Sequence, residues 1–574
     1  MHEKPRPRFL MMSFSIVAMM LLILSACGGT SSSTSTTPSA GAPAKGGTWI
    51  EDLFEEPDSL IPNLSSETFA AMVMDGLYAG LVYGTPQGQL MPGLATQVPT
   101  TANGGVSADL KTVTFTLRPG LKWSDGQPLD ARDVDFSWKL WANPKAAAYN
   151  TTPFADVASA DVSNNNLTIT FHLKSPFVSF VSQWGDGGLA GPLPAHVFSS
   201  MAPDAIIKSP DNLNPHVVSG PFMMSESKPG DHYTIVRNPN YYLASQGLPH
   251  LDKVVFRIVT DQNTILTDAQ AGTIDSAWFL DVSKALAYNS LSNYQTIGDG
   301  GGTGKNSYSW EAIWINFNNK ILGGNPEVRQ AMAMAVDQQS LIQVARRGFA
   351  SARCQDHAPV QVPGYTASPP LVCPKFDLSA ANSLLKSKGW VMGSDGVYAK
   401  NGQRLEFQYS TTAGNLWRSD DQLINQANFK KIGIKLDIQN YPASTFFGSF
   451  LPAGVPGKYD IAEFAESGSY DPDNSILLTC AEKGSGNLAF YCSQQMDALQ
   501  KQQLSTGDTT ARQTAFDGIN NLEVTDYPFI VEFGAPDLAV YKKGANNYLP
   551  SAVGIGSTEN IWEWWCNNGT CPAQ

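Results

Sequence analysis

The sequence predicts an α/β protein of more than one domain, on three observations. The chain has 574 residues, too many for one hydrophobic core, because cores stop growing at roughly 250–300 residues. Apolar residues make up 42% and charged residues 16%, the balance of a folded chain and not of a disordered one. Stretches with an apolar period of two alternate with stretches of helical period. Residues 113–141 show this most clearly. Val113, Phe115 and Leu117 alternate with Thr114 and Thr116, the pattern of a half-buried strand. Pro119-Gly120 and Ser124-Asp125-Gly126 break the chain into turns. Asp130 then stands as an N-cap, with Asp133 near the positive end of a helix that puts Val134, Trp138 and Trp141 on one face.

Residues 1–27 read as a targeting segment and lie outside the fold. Lys4, Arg6 and Arg8 supply positive charge, residues 9–24 are predominantly apolar, and Leu24-Ser25-Ala26-Cys27 follows. That ending resembles a lipobox, the bacterial signal for cleavage before a cysteine that is then acylated. Cys27 is the expected lipidation site, and the alternative is a plain secretory signal or a short membrane anchor. Residues 28–45, rich in Ser, Thr and Pro, form a tether that cannot bury enough apolar surface to fold. No later stretch has the roughly 20 consecutive apolar residues of a spanning helix, so the lipid is the only membrane contact expected. A net charge of −13 repels nucleic acid and gains nothing at an anionic membrane.

Beyond Cys27 the cysteines are Cys354, Cys373, Cys480, Cys492, Cys566 and Cys571. An even number in an exported chain argues for disulfides. The simplest pairing joins near neighbours: Cys354–Cys373, Cys480–Cys492 and Cys566–Cys571. There is no CxxC, which argues against zinc.

Along the chain, Gly46-Gly47-Thr48-Trp49 opens a first strand, and residues 72–83 read as a helix apolar on all sides. Strands follow at 167–173, at 233–237 ending in an Asn-Pro turn, and at 251–259. Trp314 to Asn318 is a further strand. Asn325 then caps a helix with Pro326 at its first position and Gly348 at its end. Asp377 caps another, with Leu378, Ala381 and Leu385 facing the core. Alternation marks strands around 405–409 and 434–438, and residues 528–541 bring the chain back toward its first part.

Four strings in this order carry a resemblance: TFTLRPGLKWSDGQPLDARDV within the first unit, Gly220-Pro221-Phe222 with YTIVRNPNY, NPEVRQAMAMAVDQQSLI, and DLSAANSLLKSKGW. They resemble the family 5 extracellular solute-binding proteins, the ligand-capturing subunits of ABC importers. The resemblance runs over roughly residues 46–550. It implies a two-lobed periplasmic-binding-protein fold, cluster C-like, with hinge-linked lobes and a ligand cleft between them. The expected division is 46–260 for the first part of lobe I, 261–530 for lobe II, and 531–574 for the return to lobe I and the tail. It further implies an oligopeptide ligand, with permease and ATPase subunits as partners. The protein would be a monomer at the extracytoplasmic face of the membrane, without enzymatic activity. An oligosaccharide ligand of the same family is the alternative; a sensor-linked role or a cleft hydrolase ranks below both.

The cleft candidates follow from the same resemblance. Residues 55–68 match the family's loop that reaches the ligand, which nominates Ser66, Glu67 and Thr68. The acid that relatives use to grip a peptide ammonium is replaced at the matching position by Gly468, leaving Glu466 and Asp471 as the nearest acids. Arg418 lies near the arginine that relatives use for a peptide carboxylate, and an arginine can hold a carboxylate by two parallel hydrogen bonds. Trp278 and Trp417 are the candidate aromatic platforms. Catalytic and metal motifs are missing: no GxSxG or HExxH occurs, GDGGGTGK at 298–305 lacks the spacing and the Ser/Thr of a phosphate loop, and the seven histidines are scattered. Neither a cofactor nor a metal is expected.

Overall fold

The computed structural model describes residues 43–85, 89–146, 148–185, 187–297, 309–356, 371–466, 471–535, 538–550 and 556–567. Cys27, the loop at 298–308, Gly468 and Cys571 lie outside the described residues. Two mixed sheets organise the rest.

The first sheet has seven strands, in the order 294–297, 539–542, 276–278, 48–53, 253–258, 232–237, 222–228. Its centre is the strand Thr48–Leu53, parallel to both Lys253–Ile258 and Ser276–Trp278. A three-stranded antiparallel sheet, Thr112–Thr116, Thr168–Leu173 and Val157–Ser163, shares the same core. The helix Ala131–Trp141 begins where expected. Asp130 accepts from the Arg132 N–H at 2.9 Å, and Asp133 accepts in return from the Asp130 N–H at 3.0 Å, a reciprocal cap. Val134, Trp138 and Trp141 are all buried.

The second sheet has five strands, in the order 435–438, 406–410, 461–466, 310–315, 529–534. In the strand Trp310–Ile315 every residue is buried. Trp310, Ala312 and Trp314 pack into one apolar cluster, and Ile313 and Ile315 into another. Side chains alternate across a sheet covered on both faces, which is why this strand reads as a nearly continuous apolar run.

The structure corrects several expectations. The strands Ser276–Trp278 and Tyr294–Ile297 belong to the first sheet, so the chain leaves it only after residue 297, not at 261. It returns between strands 529–534 and 539–542. The early helix spans Thr68–Leu77 instead of 72–83, because Glu67 caps it through the N–H groups of Phe69 and Ala70 at 2.7 and 2.6 Å. The helix after Asn325 stops at Ala333; Asp337 caps a new turn that continues into a wider helical segment over Leu341–Ala345. The disulfides Cys354–Cys373 and Cys480–Cys492 form as expected. Cys566 is also disulfide-bonded.

Candidate functional site

Both sheets send the carboxyl ends of parallel strands toward one place, where ligand crevices of such sheets form. In the first sheet, Thr48–Leu53 runs into Glu55 and the loop to Glu67, and the neighbouring Ser276–Trp278 ends beside Phe279. In the second, Glu406–Ser410 leads to Thr412 and Arg418, and Ile461–Glu466 ends at Glu466. These ends line a cavity of about 220 Å³, somewhat below the ~300–1,000 Å³ usual for small-molecule sites.

Of the eight candidate ligand residues, Ser66, Glu67, Thr68, Trp278, Arg418, Glu466 and Asp471 line this cavity, and Trp417 does not. Trp417 is packed against Phe54 and Phe279, ring centroids 6.0 and 5.2 Å away, with the Arg346 guanidinium 5.6 Å from its ring. Trp278 is 2% exposed, so it has almost no surface to offer as a stacking platform. Its indole N–H is buried without a hydrogen-bond acceptor. Phe279, also on the wall, has φ +58°, a backbone state in which a bulky residue is strained.

The charged candidates differ in how free they are. Asp471 is held: both Arg512 nitrogens donate to it, one at 2.9 Å, and the Ser179 hydroxyl donates at 2.8 Å. Arg512 donates to Ser179 as well, at 3.1 Å, so this cluster ties the second sheet's side of the cavity to the first. Arg418 is buried, donating from Nε to Glu311 at 3.0 Å and from Nη1 to Thr412 at 2.9 Å. Glu466 has no salt bridge or side-chain hydrogen bond to any described residue. Burial, and then the facing Asp356, push its carboxyl up to about 8.

The first lobe's side is also acidic. Glu67 is held well above the usual carboxylate range by burial, then by Glu55 and Asp58, against the pull of the helix N–H groups. Burial raises Glu55 too, while Arg418 opposes the rise, and its Oε1 is buried without a partner. Glu55 and Asp356 were missed from sequence. Glu55 stands in the loop already singled out. Asp356 carries no local signal, because only the fold brings it to Glu466. Among the described residues no group of three His, Cys, Asp or Glu side chains is arranged for a metal ion, and no helix is long and apolar enough to cross a membrane.

The model for bacterial extracellular solute-binding proteins, family 5 middle region, matches residues 89–487. The chain belongs to that family. It is therefore a solute-binding protein and not an enzyme. The oligopeptide-binding protein AppA of Bacillus subtilis is 24% identical over 498 residues, covering 86% of this chain and 87% of AppA. The structure of AppA with a nonapeptide superposes with a TM-score of 0.81 at 20% identity, over 92% of this chain and 100% of that one. NikZ of Campylobacter jejuni, solved with Ni(L-His), gives 0.76 at 23% identity, over 90% and 99%. The two-lobed fold is shared by proteins with different ligands, so the ligand of this solute-binding protein must be argued from its own cavity.

Proposed function

We propose that this protein is the substrate-binding subunit of an ABC importer and captures short peptides outside the membrane. Lobe I would comprise residues 46–297 with 538–567, and lobe II residues 309–535, closing on the ligand by hinge motion. Glu466 carries the reading: it is a carboxyl in the cavity wall without a salt bridge or side-chain hydrogen bond among the described residues, suited to an ammonium group and costly to leave without one. It takes the part of the acid missing at Gly468. The cavity size favours peptides of two or three residues. Ser66 and Thr68, half-buried in the wall, supply hydroxyls to the peptide backbone. An oligosaccharide is less well served, because Trp417 is off the cavity and Trp278 is almost fully buried. We further propose a monomer tethered by lipid at Cys27.

Calorimetry with trialanine and N-acetyl-trialanine tests the ligand class. Binding of the free peptide, lost on acetylation and strongly weakened by Glu466→Gln, is the expected result. Equal binding of both, or tight binding of a neutral oligosaccharide insensitive to Glu466→Gln, contradicts it.

A further inference from the structure

The acids of the cavity fall into two groups, and the peptide ammonium occupies only one. We propose that the cleft selects basic peptides: the ammonium meets Glu466 on lobe II, and a lysine or arginine side chain meets Glu55 and Glu67 on lobe I. This rests on the peptide reading above and adds a second cation subsite to it.

The cavity wall holds more acids than cations. Among the described residues, six carboxylates line the cavity (Glu55, Glu67, Asp356, Glu466, Asp471 and Asp473) against one cation, Arg418. Arg418 is ion-paired with Glu311 behind it, at 3.0 Å, and its charge is shared with Glu55 and Glu463. Asp471 is matched by Arg512. Asp473 accepts from the Ser475 N–H and the Gln503 side chain at 3.0 and 2.7 Å. The carboxyls that no described salt bridge matches are therefore Glu55 and Glu67 on one side and Glu466 on the other; Asp356 accepts from the Asn474 amide and feels the Arg353 charge. An anionic side chain would meet repulsion, with Arg418 already neutralised. A neutral one would gain no charge pairing from carboxyls that burial already pushes toward their protonated form.

The same wall also holds an unmet hydrogen bond. Glu55 Oε1 is buried and makes no hydrogen bond to any described residue. Buried acceptors are nearly always satisfied, so an orphan in a ligand cavity marks where a ligand donor belongs. The Trp278 indole N–H, orphaned in the same wall, supplies the complementary donor for a peptide carbonyl.

The two acidic groups have different near neighbours. The like charges that raise Glu67 are Glu55 and Asp58, whereas the one that raises Glu466 is Asp356. They also stand on different elements: the loop after the strand Thr48–Leu53 and the end of the strand Ile461–Glu466. The hydroxyls of Ser66 and Thr68 flank Glu67 in sequence and line the same wall, so they can take remaining donors of a lysine or guanidinium head. The net charge of −13 favours approach of a cation from a distance.

The test uses the purified protein at pH 8 and calorimetry with Ala-Lys-Ala, Ala-norleucine-Ala, Ala-Glu-Ala and putrescine. The lysine peptide should bind at least tenfold more tightly than the norleucine peptide, which matches its length without the charge. The glutamate peptide should bind at least tenfold more weakly than the norleucine peptide. Glu55→Gln should close most of the lysine–norleucine gap. Glu67→Gln should do the same, but Glu67 caps a buried helix, so Glu55→Gln is the decisive variant if that one does not fold. Equal binding of the lysine and norleucine peptides, or a gap that survives Glu55→Gln, overturns the second subsite and leaves the peptide reading standing. Binding of putrescine but of no tripeptide, with Glu55→Gln weakening it, upholds the cation subsite and overturns the peptide reading. No binding of any of the four overturns both.

Discussion

Glu466 sets a pH dependence of affinity that can be worked out in advance. Its carboxyl lies at about 8, and a peptide α-ammonium titrates at about 7.7–8.0. The productive pair needs carboxylate and ammonium together, so its weight is the product of the two ionised fractions. With both midpoints near 8 the product is about 0.25 at pH 8, about 0.08 at pH 7 and about 0.01 at pH 6. Below its midpoint Glu466 holds a proton that the ligand must displace, so affinity is lost as the pH falls. Above the ammonium's midpoint the ligand loses its charge, so affinity is lost as the pH rises. Trialanine should therefore bind best near pH 8 and about 25-fold more weakly at pH 6, a difference of about 1.9 kcal/mol. Calorimetry in buffers of different ionisation enthalpy should show close to one proton released per peptide at pH 6. Glu466→Gln should remove the acid limb and weaken binding at pH 8 by roughly 2 kcal/mol or more. Asp356→Asn removes the facing like charge and should shift the acid limb to lower pH. Affinity that stays flat from pH 6 to 8, or an acid limb that persists in Glu466→Gln, would refute the assignment.

Arg512→Ala severs the link between Ser179 and Asp471 and should weaken trialanine binding by about 1–3 kcal/mol. It should also enlarge the ligand-free molecule in solution scattering, and an unchanged radius would count against a role in holding the lobes together. Gly220→Ala places a Cβ 2.5 Å from the Leu77 carbonyl carbon and 2.6 Å from the Tyr78 nitrogen; the helix end must move, at about 1–3 kcal/mol by urea unfolding. Replacing Cys480 and Cys492 by serine opens a loop of sequence separation 12 and should cost about 2–4 kcal/mol by the same measurement. Mass spectrometry of the mature protein should find a diacylated Cys27 at its N-terminus; an unmodified chain starting elsewhere removes the anchor.

Much of this protein was legible in its sequence, because it is written in local rules. The cap at Asp130, the shared face of Val134, Trp138 and Trp141, the cap at Asp377 and the near-neighbour disulfides each depend on residues close in the chain. Element limits failed where one residue redirected the backbone. Glu67 started a helix four residues early, and Asp337 restarted one that had looked continuous. The lobe crossing was misplaced because strand pairing is non-local: nothing between 261 and 297 says that Ser276–Trp278 lies beside Thr48–Leu53. In the site, Glu67, Trp278 and Glu466 were reachable through motifs, yet their availability was not. Asp471 looked as free as Glu466 until Arg512, 41 residues on, was seen to occupy it. Trp417 looked like a platform until packing closed over it. Residue types fix what a side chain can do. Which partners it already has, how much water it has lost and which charge faces it depend on distances that only the folded chain sets.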